Sequence, residues 1–422
     1  MTNRKPRLLL LAHPFPPCRA IGAIRCWNIA KHLARRGWQV EVVAPAPDLI
    51  ANPEPNVDIV ERCSAEGVRC RWTQYDWRIF TNGRVKPRFL EKSRTLSIIM
   101  AKLAKQLNIE TSIGWMHAAE RACRSLNPRD VDLILASGSP FTSFVLANRI
   151  SEKLKCPYVL DYRDPWTTNP FHNLEHKRRI VQRERTITQN AAGIIVVSSP
   201  WAKELQDKFN LQNLPAVITN GIDLDDWRDV QPYHFDDFAI VYAGRFYPPS
   251  RTITPVLKAV ARANMVRNPK QRPIRLHYYG RYYNQVARIA EECQASDWCV
   301  DHGLCRRDEV LAALRGSGAV AVVVDSDNSE SSKYKAFLPG KLFEALGSGS
   351  PILAVASHGS EVASVLEQSK SGAAFSGSEI GEMAAWLQRL NNNQLSYVKR
   401  DVHNFTWQEV SSKLDSYLRS LI

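Results

Sequence analysis

Short apolar runs alternate along this chain with amphipathic stretches whose apolar residues recur at helical spacing. This alternation is typical of parallel α/β proteins, in which the central strands are buried on both faces. Between the first two apolar runs, residues Ile24 to Leu33 predict a helix that ends near Arg36 and is capped by Gly37. The predicted strands are 7–12, 39–44, 132–136, 157–160, 193–197, 239–243, 274–279, 319–324 and 351–355.

The length of 422 residues suits two or three domains. A polar, Asp-rich stretch at 223–237 precedes a new apolar strand, and we interpret it as an interdomain linker. The last residues predict an amphipathic helix. We therefore expect two Rossmann-like domains. The expected boundaries are 1–222 together with the C-terminal helix 404–422 for the first domain, and 223–403 for the second.

The composition excludes several classes of protein. Hydrophobic residues make up 44% and charged residues 23%, which rules out wholesale disorder. No apolar run approaches the roughly 18–20 residues that a membrane-spanning helix needs. The first apolar stretch stops at His13 and is too short for a signal peptide, so it is interpreted as a strand. The nine scattered cysteines form no C-x-x-C pair, which favours a reducing cytoplasm.

The net charge of +14 lies entirely in the N-terminal half, where residues 1–200 carry 31 Lys and Arg against 17 Asp and Glu. Such a surplus fits nucleic acid, an anionic lipid surface or an anionic acceptor, and it also fits ordinary solvated helix faces. The basic cluster 84–105 is mixed with apolar residues, which suits a membrane interface better than a nucleic-acid groove. A second basic cluster covers 177–185.

Ligands of open parallel sheets bind beyond the carboxyl ends of the strands, so the loops there hold the candidate site residues. In the N-terminal half, Gly22 at a helix start could let an anion approach the backbone, or could simply end a proline-rich turn. Ser139 lies in a loop that could bind a sugar or cap a helix. Asp161 and Asp164 flank Arg163, either as acceptor contacts or as a structural ion network.

In the C-terminal half, Arg245 and Arg251 follow a predicted strand, where guanidinium groups can hold a diphosphate. Lys341 and Glu344 lie three residues apart on a predicted short helix. They either form a surface ion pair with each other, or serve a ligand, the lysine by binding phosphate and the carboxylate by accepting hydrogen bonds from ribose hydroxyls.

An Asp-x-Asp sequence, Asp325 to Asp327, invites comparison with metal-binding motifs. No cluster of histidines or cysteines offers a transition-metal site, and we do not expect a metal there.

Six motifs, in order along nearly the whole chain, carry a family resemblance. They are I-G-A-I-R-C-W-N-I-A-K-H-L-A-R-R-G-W at 21–38, D-Y-R-D-P-W at 161–166, V-S-S-P-W-A-K-E-L at 197–205, I-T-N-G-I-D at 218–223, Y-A-G-R-F-Y at 242–247 and P-G-K-L-F-E-A-L-G-S-G-S-P at 339–351. The chain resembles glycosyltransferases of the GT-B architecture, especially family 4, the group 1 glycosyltransferases of bacterial surface polysaccharide assembly. The resemblance implies an α/β fold of two Rossmann-like domains facing each other across a cleft, with a C-terminal helix crossing back to the first.

The resemblance also implies residue roles. Arg245 matches the family's diphosphate arginine and Glu344 its ribose-binding glutamate, while Arg163 and Asp164 stand where many members carry His-Asp near the acceptor and the reacting carbon. The family's acceptor lies in the N-terminal domain and in many members is a polyprenyl-linked saccharide.

This chain departs from the family pattern at several positions. Ile21 replaces the first of two usual loop glycines, and Ser250 stands where a lysine is usual, with Arg251 next. The first of two family glutamates falls at Ala336, so the phosphate role passes to Lys341.

Two functions compete. The first is a metal-independent, retaining glycosyltransferase that moves a sugar from a nucleotide-diphosphate sugar to a glycan or lipid-linked acceptor, with no cofactor. It would be cytoplasmic, with the basic half at the inner face of the membrane. The second is a non-catalytic GT-B scaffold or a basic nucleic-acid-binding protein, although nucleic acid is the weaker partner for a basic cluster mixed with apolar residues.

Overall fold

The computed structural model describes residues 4–51, 53–55, 57–76, 112–169, 174, 177–248, 251–326, 334–397 and 400–422. The chain divides into two compact units, the first made of Met1–Thr219 with Gln408–Ile422 and the second of Asn220–Trp407.

The first unit is built on a seven-stranded parallel sheet. Its strands are Arg7–Ala12 (β1), Gln39–Pro45 (β2), Arg69–Thr73 (β3), Leu133–Gly138 (β4), Tyr158–Tyr162 (β5), Gly193–Val196 (β6) and Ala216–Val217 (β7). Their order in the sheet is β3-β2-β1-β4-β5-β6-β7. Leu8 in β1 pairs with Val40 in β2 on one side and Leu133 in β4 on the other, so the all-leucine centre of β1 lies in the middle of the sheet. The order reverses between β1 and β4, which is the usual ligand position in such sheets.

Helices connect these strands. They are Ile21–Arg35 (α1), Ile59–Ala65 (α2), Ile113–Ala122 (α3), Thr142–Leu154 (α4), Arg178–Asn190 (α5) and Ser199–Phe209 (α6), with a short 3₁₀ turn at Pro47–Leu49. The helix predicted from Ile24 to Leu33 is confirmed as α1, whose Trp27, Ala30 and Leu33 are buried. Gly37 follows it with φ +90°, the left-handed conformation expected of a glycine cap.

The second unit repeats this plan with a six-stranded parallel sheet. Its strands are Phe238–Ala243 (β8), Ile274–Tyr279 (β9), Cys299–Gly303 (β10), Ala319–Val323 (β11), Ile352–Val355 (β12) and Gly372–Phe375 (β13). Their order is β10-β9-β8-β11-β12-β13, so the reversal falls between β8 and β11. The helices are Leu224–Trp227 (α7), Thr254–Met265 (α8), Tyr283–Glu292 (α9), Arg307–Gly316 (α10), Gly340–Ser348 (α11), Glu361–Ser369 (α12) and Ile380–Asn391 (α13), with 3₁₀ turns at Ser296–Trp298 and His403–Phe405.

The last helix, Trp407–Arg419 (α14), returns the chain to the first unit. The indole of Trp38 donates a hydrogen bond to Asp415 (2.6 Å), and the Tyr417 hydroxyl accepts one from the backbone N–H of Ile194 in β6 (3.0 Å). At the start of the helix, the N–H of Trp407 donates to the carbonyl of Ile222 (2.9 Å). Two Rossmann-type sheets and a returning C-terminal helix confirm the predicted α/β fold class.

Candidate functional site

In the first unit, Arg163 brings together three of the predicted site residues. Its guanidinium donates to the backbone carbonyls of Gly138 (3.0 Å), the last residue of β4, and of Ser139, the residue after it. It also lies against the start of α1, where a Cβ added to Gly22 would come within 1.4 Å of Arg163 Nη1. Glycine is therefore required at position 22 because the guanidinium occupies the space of a side chain. Ser139 takes part in this contact through its carbonyl.

Asp161 lies beneath this contact in a buried ion pair that the sequence did not reveal. Arg25 of α1 donates to both carboxylate oxygens, at 2.7–3.1 Å, and the Ser137 hydroxyl donates to one of them at 2.7 Å. The remaining Arg25 donors reach the carbonyls of Ile218 and Thr219. The Asp161 side chain is 0% exposed, so it has no surface with which to contact an acceptor. The expected structural ion network exists, but its arginine is Arg25 rather than Arg163.

Asp164 is the carboxylate of this loop that reaches the surface. It is half-buried, and within the parts of the chain that the structure describes its side chain makes no hydrogen bond or ion pair. Trp166, two residues further on, is 2% exposed and stacks on Phe141 with ring centroids 4.9 Å apart. The loop therefore has a rigid anchor at Trp166 and a carboxylate at Asp164 that can accept a hydroxyl proton or hydrogen bond.

In the second unit, the site begins at the carboxyl end of β8. Gly244 follows the strand with φ +124°, a conformation that favours glycine. Lys341, from the first turn of α11, reaches over this turn: its Nζ donates to the Tyr242 hydroxyl at 2.7 Å and lies 4.2 Å above the centre of the Tyr242 ring. The Tyr242 hydroxyl in turn donates to the carbonyl of Arg245 (2.7 Å).

Two arginines border the same turn. Arg245 is exposed, with its guanidinium 5.8 Å from the centre of the Tyr282 ring. Arg251 donates to the carbonyl of Val324, at the end of β11, and its guanidinium lies 4.9 Å from the Phe337 ring. Arg251 thus spans the gap between β8 and β11, which is the switch point of this sheet.

The charges of this cluster act on Lys341. The pKa of its ammonium is lowered to about 7, chiefly by burial and then by the positive charge of Arg251, while Glu344 opposes the shift. A cation held beside another cation loses stability unless an anion joins them. The arrangement is therefore suited to binding an anion with more than one negative charge.

Glu344 lies one turn further along α11, and its partner is Arg307 rather than Lys341. Arg307 of α10 donates to Glu344 at 2.6 Å and to Asp226 of α7 at 2.8 Å. Burial lowers the pKa of Arg307, but the two carboxylates outweigh burial and raise it. Glu344 is held in place by this bridge with about a quarter of its side chain still exposed. Neither Arg307 nor Asp226 was singled out from the sequence, because their pairing joins segments 81 residues apart.

Part of the chain is similar in sequence to a known protein family. Residues 22–226 match the family model described as Glycosyltransferase Family 4. The chain is a glycosyltransferase, and just under half of it is similar to family 4. No curated protein matches it in sequence.

Solved structures of low sequence identity share the fold of this glycosyltransferase over its whole length. Sucrose-phosphate synthase from Thermosynechococcus elongatus is 16% identical, with 99% of each chain covered and a TM-score of 0.63. HepE from Anabaena, in complex with UDP and glucose, is 14% identical, with 98% of this chain and 99% of HepE covered and a TM-score of 0.60. The lipopolysaccharide outer core galactosyltransferase WaaB is 11% identical, with 99% and 100% covered and a TM-score of 0.55.

The Asp-x-Asp sequence of this glycosyltransferase is only partly described. Asp325 is buried and accepts a hydrogen bond from Ser357 (3.1 Å), and Asp327 and position 250 lie outside the described residues. Among the residues that are described, no group of three metal-ligating side chains occurs. Ala336, at the position of the family's first glutamate, is 4% exposed.

Of the two basic clusters, 84–105 lies outside the described residues, and 177–185 forms most of α5. Arg178, Arg179 and Arg183 are exposed on this helix of the glycosyltransferase, while Glu184 faces inward and is 1% exposed.

Across the described parts of the chain, no helix is long and apolar enough to cross a membrane.

Proposed function

We propose that this glycosyltransferase moves a sugar from a nucleotide-diphosphate sugar to a saccharide or polyprenyl-linked acceptor, as a step in surface polysaccharide biosynthesis. The observation that carries the proposal is the convergence of Arg245, Arg251 and Lys341 at the carboxyl end of β8, with the Glu344 carboxylate on the same helix as Lys341. Cations at a sheet switch point suit a diphosphate, and a carboxylate can accept both hydroxyls of a ribose.

In the proposed mechanism the three cations stabilise the negative charge that develops on the diphosphate as the sugar leaves. Such preorganised electrostatic stabilisation is commonly the largest contribution to catalysis in this kind of site. The cations take the part that a divalent metal has in other transferases, so we propose metal-independent transfer. The complexes of HepE with UDP and with UDP-glucose support a nucleotide-sugar donor for a chain of the same fold.

We further propose that the acceptor binds to the first unit beside Asp164 and Arg163. The Asp164 carboxylate accepts a hydrogen bond from the acceptor hydroxyl, and Arg163 sets the position of the loop through Gly138, Ser139 and the start of α1. The anomeric configuration is retained, as the family resemblance implies. The exposed arginines of α5 favour an anionic acceptor and attachment at the inner face of the membrane.

The donor site is tested by calorimetric titration of the purified protein with UDP, GDP and ADP in EDTA, on the wild type, Glu344→Ala and the control Glu382→Ala. Glu382 is an exposed carboxylate on α13 of the same unit, so its loss tests the general effect of removing a negative charge. We expect one nucleotide to bind the wild type and the control, and not Glu344→Ala.

Transfer is then measured with the corresponding sugar nucleotides and membrane-extracted acceptors. Activity that needs manganese or magnesium would refute metal independence. A folded wild type that binds none of the nucleotides would refute the donor site and leave a non-catalytic GT-B scaffold. Equal binding by Glu344→Ala and the wild type would refute the ribose role of Glu344.

A further inference from the structure

Glu184 is a buried carboxylate that, among the described residues, accepts three hydrogen bonds, all from the two ends of the loop that carries Asp164. Its Oε1 accepts from the Tyr162 hydroxyl at 3.1 Å. Its Oε2 accepts from the backbone N–H of Thr167 at 3.1 Å and from the Thr167 hydroxyl. Tyr162 and Thr167 enclose residues 163–166, so one side chain of α5 fastens both ends of the segment that carries Arg163 and Asp164.

Apolar packing holds this loop through Trp166. Trp166 stacks on Phe141. Next to the loop lies a small open pocket, lined by Tyr162, Pro165, Thr168, Val196, Trp201 and Leu205. A loop that borders open space depends on its hydrogen bonds for a fixed position. Arg163 makes the bonds to Gly138 and Ser139, and Glu184 makes those at the two ends of the loop.

The charge of Glu184 is kept in an environment that disfavours it. Burial raises the pKa of this carboxyl to about 7, against the opposing effects of the Thr167 hydrogen bonds, the Lys208 charge and the Tyr162 hydroxyl. Lys208 lies on α6, and its Nζ donates to the Thr167 hydroxyl (3.0 Å). Tyr158 lies on the same strand as Tyr162, and burial raises the pKa values of both phenols, so neither is charged near neutral pH.

We propose that Glu184 is a positioning residue for the transfer reaction, whose ionised carboxylate holds the 163–166 loop so that Asp164 meets the acceptor, and whose protonation releases the loop. A protonated carboxyl makes weaker hydrogen bonds than a carboxylate, because the bonds are no longer charge-assisted, and the oxygen that carries the proton acts as a donor instead of accepting. The proposal rests on the proposed role of Asp164, and it extends that role to a residue that touches neither substrate.

The first test follows the loop itself and needs no activity. Hydrogen exchange of peptides covering 163–169 is measured in the wild type and in Glu184→Gln at pH 6 and pH 8, corrected for intrinsic exchange. With a carboxyl pKa near 7, the protonated fraction changes about tenfold between these values. We expect wild-type protection to fall by up to about tenfold at pH 6. In Glu184→Gln, protection should be low at both values. Equal protection in the two proteins at both pH values would overturn the proposal.

The second test is kinetic and separates positioning from folding. At saturating donor, the wild-type kcat should rise with pH through about 7, while Glu184→Gln should have a lowered kcat with no step there and an unchanged donor KM. Tyr162→Phe removes one hydrogen bond without removing the carboxyl. It should therefore lower kcat less than Glu184→Gln does and keep the rise of kcat with pH. Glu61→Gln, an exposed carboxylate on α2, should behave as the wild type.

The outcomes of the two tests are distinguishable. A Glu184→Gln protein with wild-type kcat and pH profile would overturn the positioning role. If Glu184→Gln fails to fold, the Tyr162→Phe protein carries both tests, and wild-type loop protection and kcat in it would overturn the role. A wild type that transfers no sugar would refute the proposed function, while the exchange experiment would still decide whether Glu184 holds the loop.

Discussion

The proposed contact between Lys341 and the donor diphosphate predicts that donor binding is coupled to proton uptake. The pKa of Lys341 in the unoccupied protein is about 7, because it is buried beside Arg251. A bound diphosphate places negative charge next to the ammonium and favours its charged form. Binding should therefore take up a proton whenever Lys341 begins neutral. The sign follows directly: raising the pH above 7 removes the proton that the complex requires, and affinity falls.

The size of the effect follows from the same pKa. Lys341 is about half protonated at pH 7, about one-tenth at pH 8 and about one-hundredth at pH 9. If the complex keeps the lysine charged throughout, the association constant should fall about 50-fold between pH 7 and pH 9, equivalent to about 2.3 kcal/mol. Net proton uptake should be about 0.5 per complex at pH 7 and about 0.9 at pH 8.

The assay is calorimetry with a sugar nucleotide whose diphosphate does not titrate in this range, in buffers of different ionisation enthalpy. Lys341→Arg is the matched variant, because a guanidinium stays protonated throughout. Whatever its absolute affinity, Lys341→Arg should bind with an association constant that does not vary with pH between 7 and 9. Wild-type affinity that is flat across this range, or an equal decline in Lys341→Arg, would refute the assignment of the titration to Lys341.

Two further predictions concern the first unit. Arg25→Met leaves the Asp161 carboxylate buried without its cation and should lower the free energy of unfolding by about 3–5 kcal/mol in chemical denaturation, while Arg25→Met/Asp161→Leu should recover most of the loss. An equal loss in the double variant would contradict this. Gly22→Ala should displace the Arg163 guanidinium and cost about 2 kcal/mol of unfolding free energy. The same change should cost much less in an Arg163→Ala background, and additive losses would show that the two residues do not collide.

The sequence predicted the interior of each sheet better than its borders. All nine predicted strands are present, and they are the central ones. The strands that it did not indicate, β3, β7, β10 and β13, are the four edges of the two sheets. An edge strand has a neighbour on one side only and is partly exposed, as in Arg69–Thr73, so it lacks the continuous apolar run that reveals a buried strand.

The candidate site shows a similar division. Residues that follow a strand or begin a helix, such as Gly22, Arg245 and Lys341, were found because parallel topology brings those positions to one end of a sheet. Their partners were not found. Arg25 pairs with Asp161 across 136 residues, and Glu184 reaches Thr167 from a helix that looked merely basic. A charged residue on an apolar helix face is the one signal that could have indicated such inward-facing pairs.

The return of the chain to the first unit has a consequence for synthesis. Because α14 completes the first unit, that unit lacks its final helix until the ribosome has made all of residues 220–407. At about 5–20 residues per second, the β6 surface that receives Tyr417 stays uncovered for roughly 10–40 seconds. A shortened gene ending at residue 219 would leave it uncovered permanently. A fragment that joins 219 to 408 through a short linker would restore it, because Ile222 and Trp407 lie within hydrogen-bonding distance.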